Sequence, residues 1–237
     1  MEPIWGSPAL EIKVGGERWI LIADLHLGFE LELAKEGVYI PDRTEHLARK
    51  LLSLGPADGL VIAGDLKHSI GLSSGFRVRR FLEEISAAFP NIILTVGNHD
   101  GGIVSVVGDS CEVRGPRGIP LGEVWVFHGH ALPPPESSEY EFGVMGHVHP
   151  AIPIKGLGKV PVWLIAETTC DYLPRTLVVV PAFNDMLGYG DLLRMRERGP
   201  VFPKCIDPEA TDVLTLEGGY LGTLSYLSRE KGLLSLT

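Results

Sequence analysis

Apolar residues in this chain come in short dense runs, and several of these runs stop at a polar cluster. Trp19-Ile-Leu-Ile-Ala23 leads into Asp24-Leu-His26, and Gly59-Leu-Val-Ile-Ala63 leads into Gly64-Asp65. Asn91-Ile-Ile-Leu-Thr-Val96 leads into Gly97-Asn-His-Asp100, and Val124-Trp-Val-Phe127 into His128-Gly-His130. Glu141-Phe-Gly-Val-Met145 leads into Gly146-His-Val-His149. Short β-rich runs bounded by Gly predict strands buried on both faces. Between the early runs the period changes. Leu47, Leu51 and Leu54 follow Asp42-Arg-Thr-Glu45, which has the form of a capping box, and Val78, Phe81, Leu82 and Ile85 make a second amphipathic stripe. Strands alternating with helices predict parallel pairing through right-handed crossovers.

After about residue 120 strands follow one another with little helix between them, at 123–128, 141–145, 160–166 and 175–180. Leu10 to Val14 and Arg18 to Ile22 flank Gly15-Gly16 as a hairpin, and the stretch from Asp212 to Leu224 reads as another across Gly218-Gly219. A mixed sheet, or two stacked sheets with helices outside, is the expected result.

Composition narrows the picture. The chain has 237 residues, 45% hydrophobic and 22% charged, so it reads as globular with a real core. No apolar run approaches the roughly 18 residues of a membrane span, and the N-terminus lacks the pattern of a signal peptide, so a cytoplasmic location without membrane contact is the expectation. Cys111, Cys170 and Cys205 are scattered and form no CxxC, which predicts buried free thiols rather than a disulfide or a thiolate zinc site. The formal net charge is −9. A protein gripping long nucleic acid usually shows a basic face. Here the nearest features are Arg77, Arg79 and Arg80 in one segment and Arg194, Arg196 and Arg198 in another, both read as solvated faces.

The polar clusters carry the chemistry. All stand at the C-terminal ends of predicted strands, where open α/β sheets bind ligands. Asp24 and Asp65 offer hard oxygens, Asn98 a carbonyl oxygen, and His26, His128, His147 and His149 imidazoles. Seven of the eight histidines lie in these clusters, and His46 alone reads as an exposed helix position. A mixed N/O set without thiolate suits Mn, Fe, Zn, Ni or Co, with Mn2+ the leading candidate. The set is too large for one structural zinc and suffices for two divalent metals sharing a carboxylate. Glycines in the clusters supply the tight turns that aim the ligands.

In order and spacing the blocks Asp24-Leu-His26, Gly64-Asp65-Leu-Lys67-His68, Gly97-Asn98-His99-Asp100, His128 and Gly146-His147-Val-His149 resemble the calcineurin-like metallophosphoesterases. Many members carry an acidic residue where His68 stands, which leaves its role open between supporting the ligands, meeting substrate, and structure. The stretches Ala23 to Glu30, Gly37 to Pro41, Gly64 to His68 and Pro181 to Asn184 are similar to archaeal SbcD-related phosphoesterases, which in turn resemble the bacterial DNA-ligase-associated ones.

The resemblance implies an α/β fold, a four-layer α-β-β-α sandwich of two mixed β-sheets with flanking helices, as a single domain over residues 1–237. It implies one metal on Asp24, His26 and His149, another on Asn98, His128 and His147, and Asp65 bridging them. A metal-bridging hydroxide would then attack the phosphorus of a phosphodiester. His99 would act catalytically, as proton donor to the leaving group or as a stabiliser of phosphate charge, with Asp100 either orienting it or capping a turn. His130 is either near the phosphate or a structural loop residue, and Pro133-Pro-Pro135 is read as a connection. Single-stranded or damaged DNA, and a link to repair, is the substrate this branch suggests, against which the charge weighs. A phosphomonoesterase or cyclic-nucleotide phosphodiesterase is the enzymatic alternative, and a non-catalytic metal-binding scaffold the alternative from another class.

Overall fold

The structure is a computed structural model, described here for residues 1–69, 74–187, 190–194 and 198–230. One mixed sheet contains β1 (Glu2–Pro3), β2 (Leu10–Val14), β3 (Glu17–Ile22), β4 (Gly59–Ile62), β5 (Asn91–Thr95) and β6 (Glu112–Arg114), in that order. The hairpin β2–β3 pairs Val14 with Glu17, as the Gly15-Gly16 signal predicts. From β3 to β6 the strands are parallel. The crossovers carry α1 (Phe29–Lys35), α2 (Thr44–Leu52), α3 (Gly75–Ile85) and the short α4 (Val104–Val107).

The second sheet holds β7 (Ile119–Leu121), β8 (Val124–Phe127), β9 (Phe142–Met145), β10 (Pro150–Ile154), β11 (Gly158–Thr168), β12 (Thr176–Val179), β13 (Gly190–Asp191), β14 (Ile206–Thr215) and β15 (Tyr220–Thr223). Strand β9 pairs in parallel with both β8 and β12. The tail forms the expected hairpin, with Leu214 opposite Tyr220. A last helix, α5 (Leu224–Arg229), follows, capped by the Thr223 hydroxyl, which accepts the Tyr226 N–H.

Period-two alternation assigns each strand residue to a layer. On β3 and β4, Ile20, Ile22, Leu60 and Ile62 face outward beneath α2 and α3, whose Leu47, Leu51, Val78, Phe81 and Ile85 cover them. Leu21, Ala23, Val61 and Ala63 face inward and meet Val124, Val126, Val144, Trp163 and Val178 of the second sheet. The outer face of that sheet carries Phe127, Met145, Leu164 and Val179, covered by Leu192, Val201, Phe202, Leu224 and Leu227. The sandwich is therefore four-layered, with a thin fourth layer of irregular chain and one short helix. Full burial of a side chain such as Phe81 stabilises by about 1.5–3 kcal/mol, so these stripes dominate the packing energy.

Helix α2 starts at Thr44. Instead of a reciprocal capping box, Asp42 accepts the Thr44 N–H at 2.8 Å. The cysteines depart from expectation. Cys170 and Cys205 form a disulfide, and only Cys111 is a buried free thiol. The reason is topological. Strands β11 and β14 are antiparallel with Thr168 opposite Ile206, so residues just past one and just before the other share an end. The Thr169 N–H donating to the Cys205 carbonyl at 2.9 Å completes the approach. Nothing in the linear spacing marks that meeting. Among the described residues no helix is long and apolar enough to cross a membrane.

Candidate metal centre

The parallel strands β3, β4 and β5 deliver Asp24, His26, Asp65 and Asn98 to one edge of the first sheet. Strands β8 and β9 deliver His128, His147 and His149 to the facing edge of the second. The edges are laced together: the His147 N–H donates to Asp24 Oδ2 at 3.0 Å, and His128 Nδ1 donates to the Ala63 carbonyl at 2.8 Å. That second bond holds a proton on Nδ1, so that Nε2 of His128 is the nitrogen that would offer its lone pair to a cation once its own proton is released.

Asp24, His26, Asp65, His147 and His149 all have positive φ, between 43° and 69°. They are the only non-glycine residues among the described ones that do. Left-handed backbone is strained for such side chains. Alternate residues of a strand already share a side; here the left-handed turns end the extended strand and keep both members of Asp24-Leu-His26 and of His147-Val-His149 at the site. Two glycines are required by close approach rather than by turning alone. A Cβ on Gly64 would lie 2.2 Å from His128 Nδ1, and one on Gly97 would lie 2.2 Å from Asp65 Oδ1.

Three groups of candidate ligand atoms lie within 4.8 Å of one another. One, His26, His68 and His99, shares His26 with the next. The other two form separate clusters: Asp24, His26 and His149 converge in the first and Asp65, His128 and His147 in the second. Asp65 Oδ2 touches both, at 3.3 Å from His26 Nε2 and 3.2 Å from His128 Nε2. In the second cluster His128 Nε2 also lies 3.3 Å from Asn98 Oδ1 and 3.2 Å from His147 Nδ1. His149 Nε2 stands 3.1 Å from Asp24 Oδ1. Yet Asp24 Oδ1 and His26 Nε2 are buried without any hydrogen bond. Buried ligand atoms left without a hydrogen bond beside other candidate ligands fit a shared cation, and bond lengths near 2.1 Å about one ion give neighbouring ligands a spacing of about 3 Å.

The electrostatics agree. Burial alone would raise the Asp24 carboxyl, but the His149 and His128 imidazoles outweigh it and hold it below the usual range. Asp65 is likewise penalised by burial and pulled well below that range by His128 and His26. His128 is pushed up to about 9: burial opposes, and Asp65 and Asp24 prevail. Burial and the neighbouring His128 take His147 down to about 4. A proton thus provides the positive charge beside the carboxylates, and a divalent cation taking that place releases it.

Around the clusters, His99 donates its backbone N–H to Asp65 Oδ1 at 2.9 Å and its ring Nδ1 to the His68 carbonyl. Its ring stacks on His68 and meets His26 edge-on at 4.8 Å. His68 Nδ1 faces His26 Nδ1 at 3.1 Å, which places His68 beside a candidate ligand. Burial, then His26, takes His68 down to about 4. Asp100 does not hold the His99 ring. Its buried carboxylate accepts the backbone N–H groups of Asp65 and Gly97, both at 2.8 Å, and of Lys67 at 3.2 Å. Burial raises its pKa above the usual value. His130 stands behind His128 and His147, with ring centroids 5.3 and 6.2 Å away. Asp24, Asp65 and His128 form the buried floor, whereas Asn98 is exposed and His99, His147 and His149 are half-buried. The site is therefore open to solvent on the latter side.

The remaining sequence features lie elsewhere. Arg77 pairs with Glu30 and Asp42, and Arg80 with Glu45 and Glu84. Arg196 and the side chain of Arg194 lie outside the described residues. His46 is exposed, 3.9 Å from Asp185. Pro135 opens the 3-10 turn Pro135–Glu139 between β8 and β9. Sequence reasoning missed two contributors. The Asn184 side chain supports the Asp24 turn, and Lys67 is buried between two site loops. Asn184 and Lys67 both stood in quoted stretches, Pro181 to Asn184 and Gly64 to His68, with no role attached.

Fold and site together define a metal-dependent phosphoesterase. The model of the calcineurin-like phosphoesterases matches residues 18–178, and the chain belongs to that family. Among solved structures, a nuclease MPE from Pseudomonas putida is similar over 90% of this chain and 100% of its own, with 18% identity and a TM-score of 0.55. The E. coli phosphoesterase Yfce is similar over 86% of this chain and 96% of its own, with 16% identity and a TM-score of 0.40. No curated protein matches the sequence. Family members use divalent metals to hydrolyse phosphoesters, and the His/Asp clusters here are suited to hold them.

Proposed function

We propose that this chain hydrolyses phosphodiesters, nucleic acid among them, with two divalent cations, Mn2+ first among the candidates. The observation that carries it is Asp65 Oδ2, seated between His26 Nε2 and His128 Nε2. Asp24, His26 and His149 would hold one cation, Asn98, His128 and His147 the other, and Asp65 both. Bound there, the pair supplies an activated water near neutral pH and neutralises charge on the phosphoryl oxygens.

The protein's own groups do the rest. The His128 bond to Ala63 fixes its ring and tautomer. Asp100 gathers three backbone amides and so sets the spacing of the loops bearing Asp65 and Asn98; it is a positioning residue. His99, held at Nδ1 by the His68 carbonyl, keeps Nε2 for substrate and donates a proton to the leaving oxygen. The half-buried rim of His99, His147 and His149 leaves the site open on that side, and a similar fold is that of a nuclease from Pseudomonas putida. The net charge of −9 weighs against a grip on long nucleic acid.

The test is metal analysis of the purified protein with activity across Mn, Mg, Zn, Ni and Co. Substrates are a bis-aryl phosphodiester, an aryl monophosphate and a labelled oligonucleotide. Diester turnover above monoester turnover is expected. The reverse preference would make the chain a phosphomonoesterase, and inactivity throughout would make it a scaffold.

A further inference from the structure

Lys67 lies wholly inside the protein, with 0% of its surface exposed. Burying an ammonium is costly unless its donors are engaged. Its Nζ donates to the carbonyl oxygens of Ser69 and, at 2.6 Å, of His99. Its own backbone N–H donates to Asp100 Oδ1 at 3.2 Å. One residue thus ties the loop after β4 to the loop after β5.

His99 meets the loop after β4 at two further points. Its backbone N–H goes to Asp65 Oδ1 and its ring Nδ1 to the His68 carbonyl. These three anchors of His99 therefore come from residues 65–68. The ring direction depends on how far the His68 carbonyl stands from the His99 backbone, and the Lys67 ammonium grips both sides of that gap. A neutral amide has two donors, whereas an ammonium has three on a flexible stem and can hold several carbonyls at once. Being covered, Lys67 does not touch substrate.

We infer that Lys67 is a positioning residue for His99, fixing the carbonyls of Ser69 and His99 and through them the direction of the His99 imidazole. This rests on the reading of His99 as proton donor to the leaving group.

The experiment is a double-mutant cycle of Lys67→Met with His99→Ala, on metal-loaded protein whose metal content and melting temperature are recorded. Two phosphodiesters serve as probes, one with an alkoxide leaving group and one with a nitrophenolate, which needs no proton. Lys67→Met is expected to lower kcat on the alkoxide substrate about tenfold or more, with KM and metal content unchanged, and to change the nitrophenolate rate less than about twofold. In the His99→Ala background it should change neither rate by more than about twofold. His99→Ala alone must show the same dependence on leaving group. If it does not, the proton-donor reading fails, and this inference with it. If it does, but Lys67→Met slows both substrates equally or adds its full effect to His99→Ala, Lys67 has no special link to His99. Should Lys67→Met not fold, Lys67→Gln, which keeps an amide donor, enters the same cycle with a smaller loss of the same pattern expected. Failure of that variant to fold would also overturn the inference, because Lys67 would then be a folding residue.

Discussion

The side-chain amide of Asn184 donates to the carbonyl oxygen of Leu25 at 2.9 Å, across 159 positions of sequence. Leu25 sits between Asp24 and His26, both in left-handed backbone. The same segment adds the Phe183 N–H to the Ala23 carbonyl at 2.9 Å. The other end of the Asn184 amide accepts the Met186 N–H at 3.0 Å. The strained turn that aims two candidate ligands is thus held from outside by chain that follows β12.

Asn184→Ala should leave the Leu25 carbonyl buried and unpaired. A loss of about 1–3 kcal/mol of stability is expected in chemical denaturation. Metal titration should also show weaker binding, because the turn is freer to relax. A variant with wild-type stability and metal affinity would mean that the turn holds itself.

Gly64→Ala should place a methyl 2.2 Å from His128 Nδ1 at a residue with φ of +84°. Ring displacement and backbone strain together should cost more than about 2 kcal/mol. Metal should be lost first from the cluster containing His128. Metal analysis across a concentration series reads the order of loss, and full occupancy would show that the ring can retreat without leaving the site.

Asp65→Asn should lower occupancy by both metals together, since the Asp65 carboxylate touches both clusters. One site remaining full by metal analysis would assign Asp65 to the other cluster alone.

Thiol titration of the denatured chain should find one reactive thiol without reductant and three after reduction. In the native protein Cys111 should be unreactive at neutral pH, because burial pushes its thiol up to about 12 from an ordinary 9.0. The folded value is the higher one, so the buried neutral thiol contributes its full stability below pH 9 and loses it as pH rises toward 12. Across that window the wild type should therefore lose stability faster than Cys111→Ala, as denaturation at successive pH values will show.

Much of the site was legible because strand-forming runs and their polar ends are local features. The ends of β3, β4, β5, β8 and β9 all carry the residues expected from sequence. The hairpin of β2 and β3 and the helices around Leu47 and Phe81 were equally visible, since turn residues and periodicity act over a few positions. Asp100 was only half legible. A carboxylate after Asn-His reads equally as partner of the ring or as cap of a turn, and the choice depends on which backbone amides reach it. Helix α1 went unnoticed because its stretch from Phe29 to Lys35 has no clear stripe, and of its residues only Glu30 is buried.

By itself the sequence determined the ligand chemistry, the order of the blocks and the edge at which they gather, because residue type and short-range period need no knowledge of packing. The resemblance already implied the division of the candidate ligands around Asp65; only the tertiary structure decided that five of them adopt left-handed backbone, that Cys170 meets Cys205, and that Lys67 and Asn184 hold the loops. Each of these depends on contacts between segments remote in sequence, formed when two sheets stack and bring their strand ends face to face.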